Sequence, residues 1–270
     1  NTGNQMRAVA VGWEVYHRTG EPLDLGYIWL VLALPVILFA LPAGAAADRY
    51  SRKKIIMLAQ VGMAASGCGL AWASFTHASI GWIYVFLLGT GTFRALGWPA
   101  STAIVVSLVP RSTFPNAAMW RSVAFQLAAT LGPLIGGVLL AWWTPVAVYL
   151  LDAASSLILV CILVFIRPRA YERKAEPRSW KSLVEGVRFL WRHPLILSTM
   201  VLDMVAVLFG GATALLPIYA KDILHVGALG FGWMRAMPSL GAIAMSLWLA
   251  SHPPMKRSGV ILLWAVTVFG

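Results

Sequence analysis

The chain has 270 residues, of which 59% are hydrophobic and 11% charged; its mean hydropathy is +0.76 and its formal net charge +11. That composition excludes an ordinary soluble domain and places the chain in the membrane class. Fifteen of its 21 Lys and Arg fall in segments predicted to lie on one face of a bilayer, so the charge reads as membrane orientation and not as affinity for nucleic acid.

Residues 1–17 read as a first span running outward from a cytoplasmic amino end. Asn4, Arg7, Val11 and Glu14 are spaced three or four apart, one stripe on a helix of 3.6 residues per turn. A lipid-facing Arg costs about 2.5–3.5 kcal/mol on insertion scales, so this stripe is expected to face a cavity or a partner helix, or Arg7 to pair with Glu14. The chain opens already inside a helical pattern and stops in mid-run at Val268-Phe269-Gly270, which suggests a piece of a longer protein.

After a short outer loop, Arg18 to Asp24, a second span covers Leu25–Ala47, with Pro35 and Pro42 inside it. A third covers Ile55–Phe75. Each is long enough to cross a bilayer, which takes about 20 apolar residues. Between them lies the charged connector Gly44-Ala45-Ala46-Ala47-Asp48-Arg49-Tyr50-Ser51-Arg52-Lys53-Lys54. Its four cations mark a cytoplasmic loop. The fourth segment, Ser79 to Leu108, carries Arg94 at a depth inside the hydrocarbon, where a cation points first to function.

The fifth span, Asn116 to Ala141, contains Gly132-Pro133-Leu134-Ile135-Gly136-Gly137, a kinked, small-residue surface suited to close helix packing. The sixth, Val146 to Ile166, has Asp152 near its outer end, where water is expected to solvate it. Residues 167–176 are basic and broken by Pro168 and Pro177. Ser179 to Arg192 shows the periodicity of an amphipathic helix lying on the inner leaflet.

The seventh span, Leu195 to Ala220, carries Asp203 about 12 Å in from the cytoplasmic end. Asp203 is a candidate protonatable group or a static partner for Arg121. The eighth runs from Phe231 to Ala250 with Arg235 near the outer mouth, and a ninth begins at Gly259.

Cys68 and Cys161 lie in apolar runs without CxxC or Cys/His spacing, so they are expected to be buried, inert thiols, with no metal or cofactor. The five His are dispersed near loops and form no HExxH. An intramembrane enzyme is therefore not expected.

Gly44, Asp48, Arg49, Arg52 and Lys53 resemble the loop signature Gly-x-x-x-Asp-Arg-x-Gly-Arg-Arg of the major facilitator superfamily, with Ser51 in place of its second Gly. Gly132, Pro133, Gly136 and Gly137 are similar to that family's antiporter motif, although Ala128 stands where an earlier Gly is usual. Arg94 resembles its fourth-span Arg motif loosely, since Gly97 follows three residues on and not four. The stretch around Asp203 is similar to that of the enterobactin-exporter-like branch.

The resemblance implies an all-α, polytopic major facilitator fold, truncated to about eight spans and part of a ninth. Residues 1–166 would form an amino-terminal six-helix half, 167–193 a cytoplasmic hinge, and 194–270 the start of the second half. It further implies a monomeric, multi-pass inner-membrane transporter whose partners are a small-molecule substrate, protons and lipid. Proton-coupled export by alternating access is the expected activity, with an uptake facilitator or a non-transporting receptor or scaffold as alternatives. Arg7, Glu14, Arg94 and Asp203 would line the cavity or couple protons, and Asp48 and Arg49 would act at the inner gate.

Overall fold

The computed structural model describes residues 2–108, 110, 113–166, 188–189, 191–209, 211–250, 264 and 267. Eight helices of more than eight residues organise them: α1 Thr2–Thr19, α2 Pro22–Arg49, α3 Arg52–Phe75, α4 Ile80–Leu108, α5 Phe114–Trp142, α6 Pro145–Phe165, α7 Pro194–Phe209 and α8 Gly227–Ala250. No strand occurs among the described residues. Five of the helices, α2 to α6, contain stretches long and apolar enough to cross a membrane.

The sequence punctuates these helices where their chemistry demands. Pro stands in the first turn of α2, α5 and α6, where its missing N–H has no intrahelical partner to lose. Gly20, at φ +69°, turns the chain between α1 and α2 in a conformation that other residues rarely adopt. Successive helices run up and down. The bundle therefore has one end carrying the loop after α2, called here the basic end, and an opposite end where α1 finishes and α8 begins.

α1 is the central rod. It packs against α5, α6 and α2 and also touches α8, while α3 is clasped by α4 and α6 and α5 packs along α8. Val9, Val15, Leu70, Ile83, Leu87, Val148, Tyr149 and Phe231 form the fully buried core around it. Ile37, Leu38, Leu58 and Ile158 point outward instead. Long aliphatic side chains facing outward along helices of spanning length fit hydrocarbon as the surrounding medium.

Several expectations are corrected here. The connector after α2 is a turn at Tyr50 and Ser51 only, because α2 continues through Arg49 and α3 starts at Arg52; the cations sit on helix ends and not in a loop. The seventh span is not one continuous helix. α7 stops at Phe209, and 3₁₀ geometry over Gly211–Leu215, a single α turn at Leu216–Ile218 and π geometry over Tyr219–Ile223 carry the chain to the opposite end. Pro217 in the α turn cannot donate a backbone hydrogen bond, which favours the break. Cys68 and Cys161 are exposed on the outside of the bundle and not buried. The hinge at 167–176, nearly all of the amphipathic segment 179–192 and nearly all of the ninth span lie outside the described residues.

Candidate functional site: a cationic cavity beside a sealed helix crossing

A cavity of about 360 Å³ opens along α1, between α2, α4 and α5 on one side and α8 and the irregular turn at Pro217 on the other. Arg7, Arg94 and Arg235 line it, together with Asn4, Thr90 and the rings of Trp29, Trp98, Phe125 and Phe231. A second space of about 750 Å³ shares Asn4, Arg94, Trp98 and Phe125 with the first and continues toward the basic end past Gln60, Ser101, Ser122 and Arg121. The two spaces therefore adjoin each other, the second on the side toward the basic end. No Asp or Glu lines either space among the described residues.

Asn4, Arg7 and Val11 reach the cavity, whereas Glu14, one further turn along, does not. Arg7 does not pair with Glu14. Its Nη1 lies 2.6 Å from Asp152 Oδ2 on α6, with both side chains almost wholly buried, and Nη2 donates to Asn4 Oδ1. Asp152 is thus neither solvated nor near the surface: it lies about two turns inside α6 and neutralises the one cation on α1 that faces mid-bundle. Glu14 has its own partners, accepting the Tyr149 hydroxyl at 2.6 Å and standing 2.5 Å from Arg18. Arg18 in turn donates to the carbonyls of Ser74 and Ala78, tying α1 to the turn after α3.

Arg94 and Arg235 have no acidic partner among the described residues. Each guanidinium stands over a ring instead, Arg94 at 6.0 Å from Trp98 and Arg235 at 5.7 Å from Trp29. Arg235 sits mid-helix on the cavity wall and not at an outer mouth, because α8 begins at Gly227, a full turn earlier than its apolar run suggested. Asp203 is exposed on α7 and is absent from the lining of both spaces, and Arg121 lines the lower space without Asp203 beside it.

Toward the opposite end the helices meet closely. The glycines of the fifth-span motif face two ways. A Cβ on Gly132 would lie 2.5 Å from Gln5 Cβ and one on Gly136 3.2 Å from Met6 Cα, both on α1. A Cβ on Gly137 would lie 2.8 Å from Gly232 Cα on α8, and one on Gly232 only 2.7 Å from the Pro133 carbonyl. The backbones of α5 and α8 therefore touch at a point where no side chain fits. Above this crossing Phe231 is fully buried and stacks on Trp13, their centroids 6.0 Å apart. Farther out, the Tyr16 hydroxyl donates to Asp222, and Lys221 Nζ lies 5.2 Å over the Tyr16 ring. These contacts join α1 and α5 to α8 and to the segment before it.

At the basic end, Arg52 donates to the Ala103 carbonyl on α4 and Lys53 to the carbonyls of Val164 and Ile166 at the end of α6. The Val164 and Ile166 carbonyls stand at the carboxyl end of α6, where a cation is favoured; the Ala103 carbonyl lies inside α4. Gly44 is buried within α2, and Arg49 is exposed beside the Tyr50 ring, 5.9 Å from its centroid. The Asp48 side chain lies outside the described residues.

The profile of a family described as transmembrane secretion effector matches residues 1–269. An uncharacterized major facilitator transporter of Bacillus subtilis, YfiS, is 32% identical over 195 residues, covering 70% of this chain and 45% of the relative. The enterobactin exporter EntS of Shigella boydii is 28% identical over 264 residues, 96% of this chain and 62% of the exporter. That of Escherichia coli O1:K1 is 27% identical, with 98% and 65% covered. The chain thus spans less than two thirds of the length of these relatives. Among solved structures, a bacterial homologue of the human lysosomal transporter Spinster, in an inward-facing and unoccupied conformation, superposes with a TM-score of 0.70 at 18% identity over 90% of this chain and 58% of that one. The nucleoside transporter NupG superposes with a TM-score of 0.62 at 13% identity over 93% and 67%. The match over nearly the whole chain, on a helical bundle with a mid-membrane cavity, makes this chain a member of the major facilitator superfamily of transporters, in its transmembrane secretion effector family.

Proposed function

We propose that the protein is a secondary transporter that exports a small amphiphilic molecule by alternating access, driven by protons. The observation that supports this reading is an asymmetry: the cavity adjoins a second space on the side of the basic end, whereas toward the other end the bare backbones of α5 and α8 cross at Gly137 and Gly232. The positive-inside rule makes the basic end cytoplasmic and places the amino end on that side of the inner membrane. The cavity would then load from the cytoplasm.

Residues 1–166 act as one half and the segment from 194 onward as the start of the other, with 167–193 as their hinge. Rocking of one against the other would part α5 from α8 and open the route outward. Arg52 and Lys53, bonded across the ends of α3, α4 and α6, hold the inner end of the first half together. Gly44, Asp48 and Arg49 would complete the inner gate in the alternate state. For coupling, the buried carboxylates Asp152 and Glu14 are placed to exchange a proton as the crossing opens and water reaches them, since hydration changes which form is favoured. Asp203, exposed on α7, is a second candidate.

The relatives named as exporters support the outward direction. Accumulation of a panel of amphiphilic compounds in cells stripped of their own exporters, with and without an uncoupler, tests the reading. Lower accumulation when the full-length protein is present, restored by the uncoupler, is the expected result. Accumulation unchanged or raised by the protein would overturn export.

A further inference from the structure

We infer that the cargo is an aromatic oxyanion, held between Arg94 on α4 and Arg235 on α8. This rests on the cavity being the cargo site. Three cations and no acid line that cavity among the described residues, and the lower space adds a fourth cation, Arg121. Arg7 is neutralised by Asp152 at 2.6 Å. The surplus positive charge is therefore that of Arg94 and Arg235.

The chain shows, at Arg7, what it does with a cation whose role is structural: it supplies a carboxylate from the facing helix. It supplies none to Arg94 or Arg235 among the described residues. A ring face offers a guanidinium weak attraction and accepts none of its five N–H donors in the way a carboxylate or phosphate does. Arg94, which is solvent-exposed, and Arg235, which is half-buried, line one cavity with their guanidinium donors open to an acceptor. Thr90 adds a third donor to that cavity: it is almost wholly buried, and its hydroxyl has no hydrogen-bond partner, not even the carbonyl one turn back that a helical Thr usually finds.

The rest of the lining defines the cargo's other part. Trp29, Trp98, Phe125 and Phe231 surround the cations with flat apolar faces, which suit an aromatic body better than a sugar. A cationic compound would meet like charge, and a neutral one would leave both guanidiniums desolvated and unpaired. An anion that bridges them also ties α4 to α8, so loading would draw the two sides of the cavity together. Arg121 and the hydroxyls of Ser101 and Ser122 extend the same polarity toward the basic end.

The test is equilibrium binding to the purified full-length protein in nanodiscs, without any gradient, followed by Trp fluorescence or calorimetry. The probes are 2-naphthoate and 2-naphthalenesulfonate against the neutral 2-naphthamide and the cationic 2-naphthylmethylammonium. The anions are expected to bind about tenfold or more tightly than the amide, the advantage of a charge-assisted hydrogen bond. Arg94→Gln and Arg235→Gln should each remove that preference. Arg94→Lys and Arg235→Lys should keep part of it, since charge survives without the fork. Melting temperatures of the same preparations separate a lost site from a lost fold. Equal binding of anion and amide, preference for the cation, no binding by either anion, or folded Gln variants that keep the preference would each overturn the proposal. Because no gradient is applied, a protein that binds anions but fails the efflux assay would refute export and not the clamp.

Discussion

The seam between α1 and α6 and the cavity faces of α4 and α8 both place Arg in mid-bundle, and they treat it in opposite ways. On the seam, Arg7 meets Asp152, and Glu14 meets Arg18 and Tyr149, so each charge is met where it is buried. On the cavity faces, Arg94 and Arg235 have only rings beside them. Burying an ion is tolerated where a partner compensates it, and an uncompensated ion persists where water or a ligand reaches it. The seam compensates its charges within the bundle, and the cavity faces of α4 and α8 leave theirs open to a ligand.

Breaking the seam should have the largest effect. Asp152→Asn, or Arg7→Met alone, leaves one buried charge without its partner and is expected to cost about 3–5 kcal/mol, read as a fall in thermal stability in detergent. Replacing both, Arg7→Met with Asp152→Leu, should restore most of it. If the double variant were no more stable than the singles, the pair would be more than a mutual neutralisation.

The crossing of α5 and α8 comes next. Gly232→Val forces a side chain against the Pro133 carbonyl and should cost about 1–3 kcal/mol as overpacking. Its efflux should fall further than its stability, because the outer seal can no longer close. Gly132→Ala sets a methyl 2.5 Å from Gln5 Cβ and 3.0 Å from the Thr2 carbonyl, atoms held by the α1 backbone, so a loss of similar size is expected there.

Tyr16→Phe removes the hydroxyl that donates to Asp222 at the outer rim, an expected loss of about 1 kcal/mol with a faster opening of the closed state. Arg94→Gln should be the mildest for the fold, within about 0.5 kcal/mol, while abolishing anion preference. A large loss of stability in Arg94→Gln would erase the distinction between seam and cavity face.

Apolar run length placed α2 to α6 well, because crossing hydrocarbon demands it, and missed the break in the seventh span. What sequence could not supply were pairings between helices distant in the chain. Arg7 and Asp152 are 145 residues apart, and no local spacing links them. The available signal was a lone carboxylate two turns into a span, opposite a stripe already known to carry an Arg; it was misread because the depth of Asp152 was judged from the nearest loop. Arg235 was misplaced for a related reason: α8 starts at Gly227, at φ +65°, before its strongly apolar run. The glycines of α5 were visible as a packing surface, but that Gly132 and Gly136 serve α1 while Gly137 serves α8 depends on the angle at which three helices meet.

The central claim is that one cavity is reached from the basic end, proposed to be cytoplasmic, while the crossing of α5 and α8 closes the other. Single-cysteine labelling with a membrane-impermeant thiol reagent tests it most directly, in full-length protein whose exposed Cys68 and Cys161 are replaced by Ser. Ser122→Cys, in the lower space, should react from the cytoplasmic side of resting vesicles and not from the outside. Ala228→Cys, buried at the crossing, should react from neither side at rest and from the outside during turnover. Labelling of Ser122→Cys from the outside at rest, or of Ala228→Cys regardless of turnover, would contradict the account.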